Sequence, residues 1–261
     1  MNNPTGDYKP TLSNAGKSPF ITASVEDSSN NTYSVEIAAE RPLTIYIDKQ
    51  EMVTLLTIGT HPELLALGYL WNQGLCDQLD DISSIYVDWT EGSANIQTSK
   101  PLIENDGARI LDTRHSRLSI TTQNMISRKD IYALLEGMAK SNQLYRRIGG
   151  VHGCALFHGT KLIYFVEDIG RHNAADIVAG YMWLNGIDGS DKQLYATGRL
   201  TSEIVLKISR MGIPTAISRS SVTNLGLELA KELGITLIGR AKGHRFVVYN
   251  GSETISDKTP I

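Results

Sequence analysis

The feature that most limits what this chain can fold into lies in its second half, where short apolar runs alternate with amphipathic stretches of helical length. "GCALFHG" and "KLIYFVED" read as paired strands around a polar turn at 158–161, followed by a helix from about Asn173 with Ile177, Val178, Tyr181 and Leu184 on one face. "KQLYAT", "IPTAIS", "ITLIG" and "FVVY" read as further strands, with "GRLTSEIVLKISRMG" and "RSSVTNLGLELAKELG" as turns leading into helices. Strands separated by helices of this length are βα units, which build a sheet with helices on its faces. The pattern predicts an α/β domain over residues 127–250 with a largely parallel sheet, opened by a helix that Ser127 caps with Asp130 three residues on.

The first half is less regular. Residues 1–32 are rich in Asn, Ser, Thr, Gly and Pro and read as a flexible tail, as do residues 251–261. Between them, 33–126 reads as a smaller α+β region. Leu43, Ile45 and Ile47 alternate before a polar turn and a second apolar run, which predicts a hairpin. In "THPELLALGYLWNQG", Thr60 and Glu63 have capping-box spacing, Leu64, Leu67, Gly68 and Trp71 share a face, and Gly74 is placed to stop the helix. "SIYVDW" and "ANIQTS" are short strand-like pieces.

Composition narrows the function. The chain has 261 residues, 41% of them hydrophobic, enough to fold by burial alone. With 25 Lys+Arg against 28 Asp+Glu there is no overall basic field for nucleic acid, so any anion site must be local. The two cysteines, Cys76 and Cys154, lack metal-type spacing and suit a reducing cytosol. No long apolar run reads as a signal or a membrane span. The expectation is a soluble cytoplasmic protein.

In open α/β sheets ligands sit beyond the carboxyl ends of the parallel strands. "EDIGRHNAADIVAG" places Glu167, Asp168, Arg171, His172 and Asn173 in one such loop, with Asn173 positioned to cap the next helix and Asp176 at its third position. The next loop holds Thr197, Gly198 and Arg199, followed by Thr201, Ser202 and Glu203. The third holds Arg219, Ser220, Ser221, Thr223 and Asn224. The connection between the last two strands adds Arg240, Ala241, Lys242, Gly243, His244 and Arg245. Hydroxyls, glycines, backbone N–H groups and guanidinium forks gathered at one edge equip it for phosphate or another oxyanion. A single such turn is ordinary cap chemistry; three in succession point to a site. For the Glu167 run the competing account is a buried salt-bridge network that closes the loop, Asp168 and Arg171 satisfying each other. Cys154 shares a strand face with His152, the arrangement of a Cys–His nucleophile, although a small buried strand cysteine is the commoner explanation of such a residue.

"EDIGRHNAADIVAG", with "GGVHGCALF" before it and "TGRLTSEIVLK", "GIPTAISRSSVTNLGLELA" and "GITLIGRAKGHRFVVY" after it, resembles the FdhD family of formate dehydrogenase accessory proteins, described as sulfur carriers. "ERPLTIYID" and "GTHPELLALGYLWNQGL" resemble the family's N-terminal half, so the likeness runs over roughly residues 40–250. It implies a cytidine-deaminase-like three-layer C-terminal domain, a homodimer, and binding of the bis(molybdopterin guanine dinucleotide) molybdenum cofactor, for which GDP would be a mimic. It also implies sulfur taken from a cysteine desulfurase and passed on before the cofactor enters a molybdenum-dependent formate dehydrogenase. The segment matching the family's cofactor-binding stretch is 240–245. The family carries its sulfur on a C-x-x-C upstream of "GGVH", and residues 107–123 here contain no cysteine; a hydroxyl such as Ser116 cannot hold sulfane sulfur. The H-x-E and C-x-x-C ligands of zinc deaminases are also absent from the sequence, so zinc is not expected.

Overall fold

Two sheets and the helices between them are built on strand alternation. A computed structural model describes residues 8–100, 120 and 124–256. The N-terminal sheet contains β1 (Thr11–Leu12), β4 (Arg41–Ile47), β5 (Gln50–Thr57), β6 (Ile82–Asp88) and β7 (Ser93–Thr98), in the order β1-β6-β7-β4-β5. β2 (Phe20–Glu26) and β3 (Thr32–Ala38) form a separate two-stranded ribbon. β8 (Ile126–Ser127) pairs with β15 (Ile255–Ser256). The C-terminal sheet orders β10 (Lys161–Asp168), β9 (His152–His158), β11 (Gln193–Ala196), β12 (Thr215–Ser218), β13 (Thr236–Lys242) and β14 (Arg245–Asn250). The helices are α1 (Pro62–Asn72), α2 (Arg128–Ser141), α3 (Gln143–Ile148), α4 (Arg171–Leu184), α5 (Ser202–Arg210) and α6 (Asn224–Leu233).

The C-terminal sheet is mixed rather than largely parallel. β11–β12 and β12–β13 pair parallel, whereas β9 pairs antiparallel with both β10 and β11, and β14 with β13. The cause is the pair of tight hairpins at the sheet's margins, which reverse the chain without a crossover helix. Its two faces follow the period of two: Cys154, Leu156, Leu194, Ala216 and Leu237 join the core under α4, α5 and α6, while Ala155, Phe157, Tyr195, Ile217 and Ile238 pack on Ile131, Leu134, Leu135 and Met138 of α2.

The first of these cores does not stop at residue 126. It continues through α1 to Leu43, Ile45 and Ile96 of the N-terminal sheet, so α1 and α4 lie between the two sheets. These helices cross with their backbones nearly touching. A Cβ on Gly68 would sit 1.7 Å from the Asp176 carbonyl oxygen, and one on Gly180 would sit 2.0 Å from that of Leu64. Behind the crossing, Asp176 of α4 pairs with Lys207 of α5 and accepts from Asn72 Nδ2 of α1 at 2.7 Å, all three buried.

Several local expectations are altered. Residues 11–26, expected to be loose, form β1 and β2: Ile21, Ala23 and Val25 alternate opposite Tyr33, Val35 and Ile37, and Asp27 closes the turn by accepting from the Ser29 and Asn31 amides. At the other end Ser252–Thr254 is a short 3-10 turn before β15. Glu63 does not cap α1. It turns to the N-terminal segment and accepts from Ser13 Oγ at 2.6 Å and Ala15 N at 2.7 Å, while Pro62 fills the helix's first turn. Ser127 does cap α2, accepting from Asp130 N at 3.0 Å. The stretch 107–123, Ser116 included, lies outside the described residues except for Ile120.

Candidate functional site

The sheet topology brings the predicted loops to one edge. β10, β11, β12 and β13 point the same way, so residues 168–173, 197–201, 219–224 and 240–245 converge there with the start of β9. The sheet then divides them between its two sides.

Glu167 and Asp168 show the division. Asp168 faces α4 and is fully buried. Its Oδ2 accepts from Thr57 Oγ1 at 2.5 Å and Ile58 N at 3.2 Å, and its Oδ1 from Gly170 N at 3.0 Å and Asn173 Nδ2 at 2.9 Å. Burial lifts its pKa above the ordinary carboxylate range, against these hydrogen bonds that pull it down. Asp168 thus ties β5, β10 and α4 together and bonds to Asn173, not to Arg171. Asn173 is not the cap of α4: the helix starts at Arg171, with Gly170 as its N-cap, and Asn173 Nδ2 also donates to the Leu56 carbonyl. His172 lies on the same side, 3.2 Å from Glu203, where both border a cavity of about 370 Å³ with Asn72, Asp176 and Lys207. Burial depresses the His172 pKa below 6.5 although Glu203 opposes it.

Glu167 faces the other side, where its carboxylate accepts from Leu144 N and Tyr145 N, each at 3.0 Å, and so caps α3. Burial raises its pKa and these two bonds lower it, the net direction being up. A cavity of about 320 Å³ opens here, walled by Glu167, Asn142, Tyr145, His152, Thr197, Arg219 and Ser220 among others. A second, of about 290 Å³, shares Asn142, Tyr145 and Arg219 with it and is lined further by Arg146, Ala241, Lys242 and Gly243. The two form one crevice beside α3. Arg219 stands over the Tyr145 ring at 5.9 Å, on the shared wall. Thr197 Oγ1 accepts from Gly153 N at 2.9 Å, Ser218 Oγ donates to Gly198 O and accepts from Ser220 N, and Arg240 takes a left-handed φ of 52° with its amide on Ser220 O, so the loop backbones are fixed.

Arg171 and Arg199 flank the crevice. The aliphatic part of Arg171 lies across Gly198, where an added Cβ would come within 3.0 Å of it, and its Nε is buried without a partner. Burial, then Arg171 and Arg199, depress the pKa of His152. Of the 240–245 stretch, Arg240, His244 and Arg245 line neither cavity; His244 turns its ring to Tyr132. The largest omission in the sequence reading is α3, which supplies Tyr145 and Arg146 and follows Asn142. Its only sequence signal is the basic pair Arg146–Arg147 ahead of two glycines.

Groups fit for an anionic ligand are therefore present: Arg146, Arg219 and Lys242 at the walls. The buried Asn142 Oδ1, without a partner, is an acceptor and suits an N–H or O–H donor of a ligand rather than its phosphate. Among the described residues no three His, Cys, Asp or Glu side chains lie together in a way that could hold a metal ion. Cys154 is fully buried under α4, and burial pushes its thiol up to about 12. Cys76 is buried at the end of α1, donates to the Gln78 carbonyl at 3.2 Å, and is likewise raised by burial.

Comparison with known proteins gives one answer. The FdhD/NarQ family model matches residues 38–256. The sulfur carrier protein FdhD of Listeria innocua is 32% identical over 84% of this chain and 91% of its own, and that of Bacillus licheniformis is 32% identical over 84% and 90%. The crystal structure of a formate dehydrogenase accessory protein from Desulfotalea psychrophila superposes with a TM-score of 0.75 and 28% identity, over 91% of this chain and 98% of that one. With a family match across most of its length and the same fold, the chain belongs to the FdhD/NarQ family.

Proposed function

We propose that this protein is a formate dehydrogenase accessory protein that binds the guanine dinucleotide form of the molybdenum cofactor in the crevice beside α3. The observation that carries this reading is the crevice itself, where Arg146, Arg219 and Lys242 meet around one solvent-open space at the edge that gathers the βα loops. The six-stranded mixed sheet, with α2 on one face and α4, α5 and α6 on the other, fits the cytidine-deaminase-like layering that goes with it. The bound group would bring its molybdenum and dithiolene chemistry; this chain's residues bind and orient it. Arg219, Arg146 and Lys242 neutralise phosphate charge, while Thr197, Ser220 and the loop amides fix its register. Arg171 and Arg199 extend the cationic rim past Gly198.

The second reading, a cofactor-binding chaperone without sulfur transfer of its own, is favoured at the thiols. A sulfur carrier needs a thiolate that is both formed and reachable, and neither Cys154 nor Cys76 meets either condition. On this reading a molybdenum-dependent formate dehydrogenase is the client, a cysteine desulfurase acts without using this chain as its sulfur acceptor, and the protein works as a cytoplasmic homodimer.

Calorimetry in low-phosphate, low-salt buffer tests it. GDP should bind more tightly than ADP, and Arg219→Ala should weaken GDP about tenfold to a hundredfold, the loss of one charge-assisted contact of roughly 1.5 to 3 kcal/mol, with the melting temperature unchanged. No heat with GDP or any other guanine nucleotide would remove the reading.

A further inference from the structure

The ribbon of β2 and β3 faces the wrong way for a structural element of this chain alone. Its pairing puts Ile21 opposite Ile37, Ala23 opposite Val35 and Val25 opposite Tyr33, so all six side chains share one face. The other face carries Thr22, Ser24, Glu26, Thr32, Ser34 and Glu36. The ribbon meets the body at the root of this second face, where Arg147 of α3 pairs with Glu36 and lies 4.1 Å over the Phe20 ring, while Thr22, Ser24, Glu26, Thr32 and Ser34 are exposed. The apolar face is open at Ile21, Tyr33 and Ile37, which are 51%, 50% and 41% exposed, with Ala23, Val25 and Val35 partly buried between them. A two-stranded ribbon is marginal in water, and one that turns contiguous apolar residues to solvent marks a surface that something else covers.

Charge selects the occupant. Residues 18–40 carry Glu26, Asp27, Glu36 and Glu40 and no Lys or Arg, and only Glu36 has an ion-pair partner given by the structure. A second copy of the ribbon would bring more acids and no basic side chain to answer them, and an anionic lipid surface would be repelled. We infer that the β2–β3 ribbon is a docking surface for an extended apolar segment of another protein, flanked by Lys or Arg side chains that answer Glu26, Asp27 and Glu40. The ribbon is rooted on α3, whose Tyr145 and Arg146 line the crevice, so a partner seated on the ribbon lies beside the proposed cargo site. The surface itself does not depend on what the crevice holds.

The test uses the full chain and a fluorescent extended peptide of alternating valine and threonine with two lysines at each end, set against the same peptide ending in glutamates. The lysine peptide should bind, should weaken as salt is raised, and should lose at least tenfold in affinity to a triple I21S, Y33S, I37S variant that keeps the wild-type melting temperature. GDP heat should be the same in that variant, so this surface and the crevice reading fail separately. Absence of lysine-peptide binding, equal binding of the glutamate peptide, or binding undiminished in the triple variant would overturn the inference. So would a dimer in sedimentation that the triple variant disperses, since a second copy would then be the cover.

Discussion

Glu167 and Asp168 share a peptide bond, yet the pleat of β10 sends their carboxylates to opposite faces of the sheet, into surroundings that do opposite things. On the α4 side Asp168 has two hydrogen bonds to each oxygen and no solvent, and the layers behind it are closed by Gly68, Gly180, Asp176 and Lys207. On the α3 side Glu167 caps a short helix and borders an open crevice whose other walls include Asn142, Tyr145, His152, Thr197 and Arg219. One side of the edge is mainly joinery, with the His172–Glu203 cavity at its margin, and the other is a receptacle walled by cations. Density of polar residues in a loop after a strand does not distinguish them; the parity of each residue along the strand does.

The largest effect should come from breaking the joinery at its tightest point. Gly68→Ala would place a methyl 1.7 Å from a backbone oxygen of α4, where no side chain can rotate away. The two helices must separate, which costs roughly 3 kcal/mol or more and takes the protein to little or no folded product, read by circular dichroism and by yield. The same change at Gly137, which has nothing within 4 Å, should be harmless or slightly stabilising.

Next in size is Lys207→Ala. It leaves Asp176 as a buried charge with only Asn72 beside it, a loss of about 3 to 5 kcal/mol in urea unfolding. If the comparison is right, the fraction that stays folded binds GDP as the wild type does, because Lys207 lies across the sheet from the crevice. A matching loss of GDP binding would mean that the two sides are one site.

The contrast also explains how far the sequence was readable. The β9–β10 hairpin, the helices after β10, β11 and β12, and the convergence of their loops follow from periodicity and turn chemistry, and the structure has them. The Ser127 cap is likewise local and is present. What the sequence could not show depends on contacts distant along the chain. Glu63 leaves its expected cap because Ser13 and Ala15 lie within its reach, and Asn173 leaves its own because Asp168 and the Leu56 carbonyl claim its amide. The ribbon was legible from the alternation at Ile21, Ala23 and Val25, but the Ser and Asn residues of the turn at 28–31 and the polar stretch before it masked it as a tail. Asn142 and Tyr145 escaped notice as crevice residues because α3 is too short to carry a periodic signal.

A smaller effect should separate the sides by pH. Glu167 is raised above the ordinary 4.5 by burial, and a polyanion placed beside it would raise it further, so binding of GDP takes up a proton there. The protonated form is favoured in the complex; affinity therefore rises as pH falls from neutral toward the raised Glu167 value, by at most about tenfold per pH unit for one proton. Glu167→Gln should flatten that slope. Below pH 6.5 His152, depressed by burial, Arg171 and Arg199, would regain a proton beside an anion and add to the slope, against the GDP terminal phosphate, which loses charge around a second pKa of about 6. Asp168→Asn should leave the slope alone, because its carboxylate faces the other way.

The smallest effect is expected at Cys154, and there a near-zero result is the informative one. Its side chain sits on the closed side of the sheet, under α4, with no solvent exposure to speak of and a thiol pushed up to about 12. At neutral pH the thiol therefore stays protonated, and a donor persulfide has no path to it. Cys154→Ala removes one sulfur from a packed layer, for which roughly 1 kcal/mol or less of destabilisation is expected once the neighbours relax. Incubation with a cysteine desulfurase and cysteine, followed by intact-mass spectrometry, should add no stable sulfur to the wild type, and GDP binding by the variant should match it. A sulfur found on Cys154 would require α4 to lift from β9, which means parting the Gly68–Gly180 crossing. That result would make the closed side a gate and would end the division of the edge into joinery and receptacle.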